Sequence, residues 1–197
     1  MNETAPARCG FVALLGAPNA GKSTFLARVT AARPKIADYP FTTLDPQVGI
    51  AKVGDYDTLV LADLPGLIEG AAEGAGLGHQ FLRHVERCRV LLHLVDVSPG
   101  ASEEPAQAWR TLERELQNYS AELHAKPRIT VATKHFEDEG SEEGLAALRE
   151  AVVQDGAESG RVARVHPISS VTGEGVPELL ALAQTLVREE VDRAQGP

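Results

Sequence analysis

The octapeptide Gly16-Ala17-Pro18-Asn19-Ala20-Gly21-Lys22-Ser23 fits the pattern GxxxxGKS, and Thr24 follows it. These residue types at this spacing suit the wrapping of a chain of phosphates. Glycines let successive backbone N–H groups close around anionic oxygens, Lys22 neutralises β and γ oxygens, and Ser23 offers a hydroxyl to magnesium. A helix opening at Lys22 adds the positive end of its dipole. Gly16, Pro18, Asn19, Ala20, Gly21, Lys22, Ser23 and Thr24 are the candidate phosphate-binding set.

Further along, Asp63-Leu64-Pro65-Gly66 closes a β-branched and aliphatic run. A carboxylate at a strand end beside the phosphate loop can reach the shell of the same magnesium, and the Gly66 N–H can sense a γ-phosphate. Between the two motifs, Asp38-Tyr39-Pro40-Phe41-Thr42-Thr43-Leu44-Asp45-Pro46 reads as a loop able to lay a hydroxyl on that metal. Thr43 is the choice and Thr42 the second. The expected magnesium ligands are therefore Ser23, Thr43 and Asp63. Glycines 70, 74, 76 and 78 suit a segment that reorders when a γ-phosphate is lost. His79 and His84, five residues apart, do not meet on one helix face and are assigned no metal.

These residues need strands to carry them. Short runs at 11–15, 48–53, 58–62, 90–95, 129–133 and 165–169 predict six strands. Gly54-Asp55-Tyr56-Asp57 is too short for a crossover helix, so the second and third runs pair as an antiparallel hairpin. Trp109, Leu112, Leu116, Tyr119 and Leu123 keep helical spacing after Pro105, as do Leu179, Leu180, Ala183, Leu186 and Val187 after Pro177. The acidic group Glu137, Asp138, Glu139, Glu142 and Glu143 reads as a solvated loop. The expected fold is α/β: a mostly parallel sheet with one antiparallel strand and helices on both faces, its ligand outside the carboxyl ends of the strands.

The stretches IADYPFTTLDPQVGI and ADLPGLIEGAAEGAGLGHQFLRHVERCRV resemble the switch I and switch II signatures of the Obg family of GTPases, and the resemblance extends over nearly the whole chain. It implies a Ras-like P-loop G domain, GTP and GDP with Mg2+ as ligands, slow hydrolysis, and a role with the large ribosomal subunit precursor. By the same resemblance Asn19 is similar to an asparagine that helps hold K+ in potassium-activated GTPases. Leu67 follows Gly66 where Ras-like enzymes place a water-orienting glutamine, which also points to slow hydrolysis. In place of the family's NKxD stands Thr133-Lys134-His135-Phe136. The Lys134 stem can pack under a purine and Thr133 can supply some of the asparagine's hydrogen bonding, but Phe136 cannot accept from guanine. Ser169-Ser170-Val171 is similar to the loop whose N–H meets guanine O6. Obg proteins carry a glycine-rich domain ahead of the G domain, so this chain is expected to be part of a longer protein or a stand-alone relative. Competing expectations are a nucleotide-binding module with little hydrolysis, and a site that takes ATP as well as GTP.

The bulk numbers bound the rest. Hydrophobic residues make up 43% and charged residues 24% of 197, an ordinary globular composition. A net charge of -9 excludes strong general nucleic-acid binding by counterion release. Cys9 and Cys88 suit reduced thiols, and no run is long and apolar enough for a membrane span or signal peptide, so the expected location is cytoplasmic. Residues 1–9 read as a loose arm, 10–188 as the G domain and 189–197 as a loose tail.

Overall fold

The computed structural model describes residues 10–30, 35–36, 47–54, 57–63, 88–137, 139–159 and 164–195. All six predicted runs form strands: β1 (Gly10–Leu15), β3 (Gln47–Val53), β4 (Asp57–Asp63), β5 (Val90–Asp96), β6 (Arg128–Thr133) and β7 (Val165–Pro167). A two-residue strand, β2 (Lys35–Ile36), extends the edge, giving the order β2-β3-β4-β1-β5-β6-β7. β3 runs antiparallel to both its neighbours, while β4, β1, β5, β6 and β7 are parallel. Gly54, at φ +61, takes a left-handed turn that reverses the chain between β3 and β4, a conformation that a side chain disfavours.

Side chains alternate across β1 and divide the core. Val12 and Leu14 pack with Phe25 and Leu26 of α1 (Lys22–Val29) and with Leu179 and Ala183 of α5 (Val176–Gln195). Ala13 and Leu15 face the other way, towards Leu112 and Leu116 of α2 (Pro105–Tyr119) and Leu123 of α3 (Ala121–Ala125). α4 (Ser141–Ser159) completes that second layer through Leu145 and Leu148, packed with Trp109 and Ala132.

α2 begins as its composition demands. Pro105 occupies the first turn, and the Glu104 carboxylate accepts from the N–H groups of Ala106 and Gln107, at 3.1 and 2.8 Å. Three expectations need correction. Leu123 is not on α2, because the Ser120 hydroxyl caps a separate short helix by accepting from Leu123 N–H. Glu142 and Glu143 are not in a loop; they occupy the first turn of α4, where their charge opposes the positive end of the helix dipole. Residues 189–195, expected as loose tail, continue α5 to Gln195. The arm expected over residues 1–9 lies outside the described residues.

Beneath α2 the buried Trp109 indole donates to Thr130 Oγ1 on β6 at 3.2 Å, and its ring stacks on His93 of β5. Arg128 Nη1 lies 2.7 Å from both oxygens of Glu113, and His93 Nδ1 lies 3.5 Å from the same carboxylate. Burial pushes the Glu113 carboxyl up, but the contact with His93 and the charge of Arg128 outweigh it and hold it at about 2. These contacts fix α2 against the two strands whose ends carry the site. Thr130→Val keeps the volume but strands the indole N–H, so it is expected to cost about 1 to 2 kcal/mol, read as a lower urea midpoint.

Among the described residues no helix is long and apolar enough to cross a membrane. Cys88 is buried in the second core layer, and burial pushes its thiol up to about 12.

Candidate functional site

The loop between β1 and α1 sits at the carboxyl edge of the sheet's central strand. Gly16 leaves β1 so close to β5 that a Cβ there would lie 2.4 Å from the Leu94 carbonyl oxygen, which is why the position takes glycine. Asn19 at φ 63 and Gly21 at φ 83 are left-handed, and Ala20 N–H donates to Ala17 O at 3.2 Å. Ala20 is buried and anchors the loop; Pro18, Asn19, Ser23 and Thr24 are exposed. Lys22 Nζ donates to Gly16 O and Ala17 O, at 2.6 and 3.0 Å, so its ammonium stays within the curve of the loop. A phosphate chain entering there meets a positive charge already held in place by main-chain carbonyls.

Strand register brings the second motif to the first. Leu14 of β1 pairs with Asp63 of β4, so the carboxylate ends its strand beside the start of the phosphate loop. Ser23 Oγ donates to Asp63 Oδ2 at 3.4 Å, a long contact, while Asp63 Oδ1 is buried without a hydrogen-bond partner among the described residues. Burial raises the Asp63 carboxyl above the usual 3.8, against the opposing charge of Lys22 and the Ser23 contact. A hydroxyl and a carboxylate with an unused buried oxygen form a hard oxygen-donor pair, the type a small divalent cation takes. Thr43 and Gly66, and with them glycines 70, 74, 76 and 78, His79 and His84, lie outside the described residues.

The other end of the site is built from β5, β6 and the turn after β7. Thr133 Oγ1 donates to Ala20 O at 2.9 Å and lies 3.1 Å from Val95 O, so one hydroxyl ties the phosphate loop to β6. Lys134, left-handed at φ 60, pairs with Asp96 Oδ2 at 2.5 Å, and Asp96 Oδ1 accepts from the N–H and hydroxyl of Ser98, at 2.9 and 2.7 Å. Asp96 was not singled out from the sequence. Its signal is a carboxylate ending a strand next to β6, visible only once Asp96 is known to pair in register with Thr133. Phe136 stands on a single 3₁₀ turn (His135–Glu137), 40% exposed, its ring edge-on to His135.

Ser169, Ser170 and Val171 follow β7 and come to the same edge, because His135 N–H donates to Ile168 O at 3.2 Å. Ser169 and Ser170 are buried, Val171 is exposed, and Ser170 Oγ has no partner among the described residues. The structure thus gathers Gly16 to Thr24 with Asp63 and Thr133, and sets Lys134 and the Ser169–Val171 turn on the adjoining strand ends.

The chain matches the family model described as 50S ribosome-binding GTPase over residues 11–134. Among curated relatives it is 54% identical over 170 residues to the GTPase Obg of Moorella thermoacetica, covering 86% of this chain and 38% of that protein. It is 47% identical over 190 residues to the GTPase Obg of Sorangium cellulosum, covering 93% of this chain and 53% of that one. The chain therefore spans about half the length or less of these relatives. Among solved structures it resembles Era in complex with MgGDPNP and a segment of 16S ribosomal RNA, with a TM-score of 0.64 at 22% identity over 90% of this chain and 57% of that one, a likeness of fold. The Walker-type loop, the strand-end aspartate and these likenesses converge, and the chain belongs to the 50S ribosome-binding GTPase family, with Obg GTPases as its relatives.

Proposed function

We propose that this chain binds GTP and GDP with Mg2+ and hydrolyses GTP slowly to GDP and phosphate, as the switch unit of an Obg-type protein acting with the large ribosomal subunit precursor. The observation that carries the reading is the joint geometry of Lys22, Ser23 and Asp63. The lysine is held inside the phosphate loop by Gly16 O and Ala17 O, and the serine is in contact with a buried carboxylate whose other oxygen has no partner among the described residues. Ser23 and Asp63 would hold the magnesium ion, with Thr43 as the expected third ligand, and the ion would offset charge on the phosphate oxygens.

The chain's own groups divide the work. Lys22 and the N–H groups of the loop bind and orient the phosphates, Gly66 N–H meets the γ-phosphate, and Lys134 with the Ser169–Val171 turn receives the base. Leu67 cannot orient water, so hydrolysis depends on a positive charge from elsewhere. That charge is K+ held by Asn19, a reading supported by the left-handed, exposed position of Asn19 in the phosphate loop.

Single-turnover hydrolysis of GTP in equal KCl and NaCl tests both levels. Magnesium-dependent cleavage about ten-fold faster in K+ is expected, and Asn19→Ala should remove the difference, with any loss of mant-GDP affinity equal in the two salts. Absence of magnesium-dependent mant-GDP binding would sink the nucleotide reading. Binding with equal slow rates in both salts would sink only the potassium site.

A further inference from the structure

The turn proposed to receive the base is folded mainly upon itself. Ser169 N–H donates to Glu174 O, Gly173 N–H to Ser169 O, Thr172 N–H to Ser169 Oγ and Glu174 N–H to Thr172 Oγ1, at 3.0, 2.9, 3.0 and 3.3 Å. At its far end His166 Nε2 is 2.8 Å from Gly175 O. These bonds give the turn its shape, and its inner end is anchored by the buried Ile168, Ser169 and Ser170, while Val171 at its tip is 64% exposed.

One side chain reaches the outer part of the turn directly from α1. Arg28 in the last turn of α1 donates from Nη2 to Thr172 O at 2.7 Å, across 144 residues of sequence. Its guanidinium lies on the bare face of Gly173, where a Cβ would stand 2.3 Å from Nη2 and 3.1 Å from both Cζ and Nε. Gly173 has φ +90, so the position requires glycine both for its backbone and for this approach. The helix that begins at Lys22 and Ser23 thus ends by gripping the base turn. A groove of about 320 Å3 is lined by Arg28, Lys52, Val53, Gly173, Val176 and Leu180, so the guanidinium borders open space beside the outer part of the turn. The C-terminal end of α1 also favours a cation at this position.

We propose that Arg28 is a positioning residue for base recognition: through Thr172 O and Gly173 it holds the Ser169–Val171 turn at a fixed distance from the phosphate loop, and so sets how long a nucleotide stays bound. The proposal rests on the reading that this turn receives the base. Phosphate binding at the other end of α1 does not depend on Arg28, because Lys22 and Ser23 are held by contacts with the loop itself and Asp63. The grip therefore acts on nucleosides and not on bare phosphate chains.

The test uses Arg28→Ala, Arg28→Lys and Ser169→Ala, with three readings: mant-GDP dissociation rate, competition of tripolyphosphate against mant-GTP, and thermal midpoint. An exposed bond of this kind predicts mant-GDP leaving about five-fold faster from Arg28→Ala. Arg28→Lys, which keeps a donor and a charge, should recover part of that. Tripolyphosphate competition and thermal midpoint should match the parent in both. Unchanged GDP release in Arg28→Ala, with faster release in Ser169→Ala, overturns the role of Arg28 and leaves the base turn standing. Unchanged release in both variants overturns the assignment of the turn itself. Equal weakening of GDP and tripolyphosphate also overturns the proposal, since it places the effect in α1 as a whole.

Discussion

Phe136→Asp is expected to tighten GDP about 100-fold while leaving ADP unimproved, measured by competition against mant-GDP in the presence of magnesium. Phe136 has no acceptor for the N1–H and 2-amino groups of guanine, whereas a carboxylate accepts from both at once. Each such charge-assisted bond is worth about 1.5 to 3 kcal/mol, reduced at an exposed site, and two together correspond to roughly a hundred-fold in affinity. The substitution asks little of the fold. Phe136 is 40% exposed on its 3₁₀ turn and contributes an edge contact with His135, not a core layer. A variant that gained nothing for GDP would show that the base is not read at this turn, and would remove Lys134 and the Ser169–Val171 turn from the site.

The second large effect concerns Asp63 and has two opposite signs. Asp63→Asn should abolish most of the magnesium enhancement of GDP affinity, a loss on the order of 100-fold, because a unit charge about 4 Å from a cation near a protein surface is worth a few kcal/mol. The same variant without nucleotide should unfold at a higher temperature, because the amide removes a buried charge that lacks full hydrogen bonding among the described residues. The pH dependence follows with a definite sign. The folded carboxyl binds its proton more tightly than the unfolded 3.8, so this group favours folding most in acid, and that contribution is lost as pH rises from 3.8 through the raised folded value. A magnesium enhancement of GDP affinity that persists in Asp63→Asn would place the metal elsewhere.

What could be read from the chain before its fold was known depended on contiguity. The phosphate loop is eight consecutive residues whose geometry is local, and the strands at 48–53 and 58–62 announced their hairpin through a four-residue gap. The edge strand Lys35–Ile36 gave no signal, because two residues hold no period. α4 was hidden by its own first turn: Glu142 and Glu143 look like solvated loop residues until the helix dipole gives them a reason to be there. Leu123 kept helical spacing with Leu116 although Ser120 had already broken the helix and begun another. In the site, Ser23 with Asp63 was legible because both ends of the pair belong to motifs. Lys134 with Asp96 and Arg28 with Thr172 were not, since each joins residues that only strand order and helix direction bring together.

The strand order also divides the site by how freely it can be rewritten. The phosphate loop hangs on β1, flanked on both sides, where even a methyl group at Gly16 strikes a neighbouring main chain. The base end hangs on β6 and the terminal strand β7, on turns whose side chains include the exposed Phe136 and Val171. An engineer seeking an orthogonal pair, this protein with a base-modified nucleotide that other GTPases ignore, can therefore vary residues 136 and 171 without repacking the interior, while the reaction they serve stays unaltered at the centre.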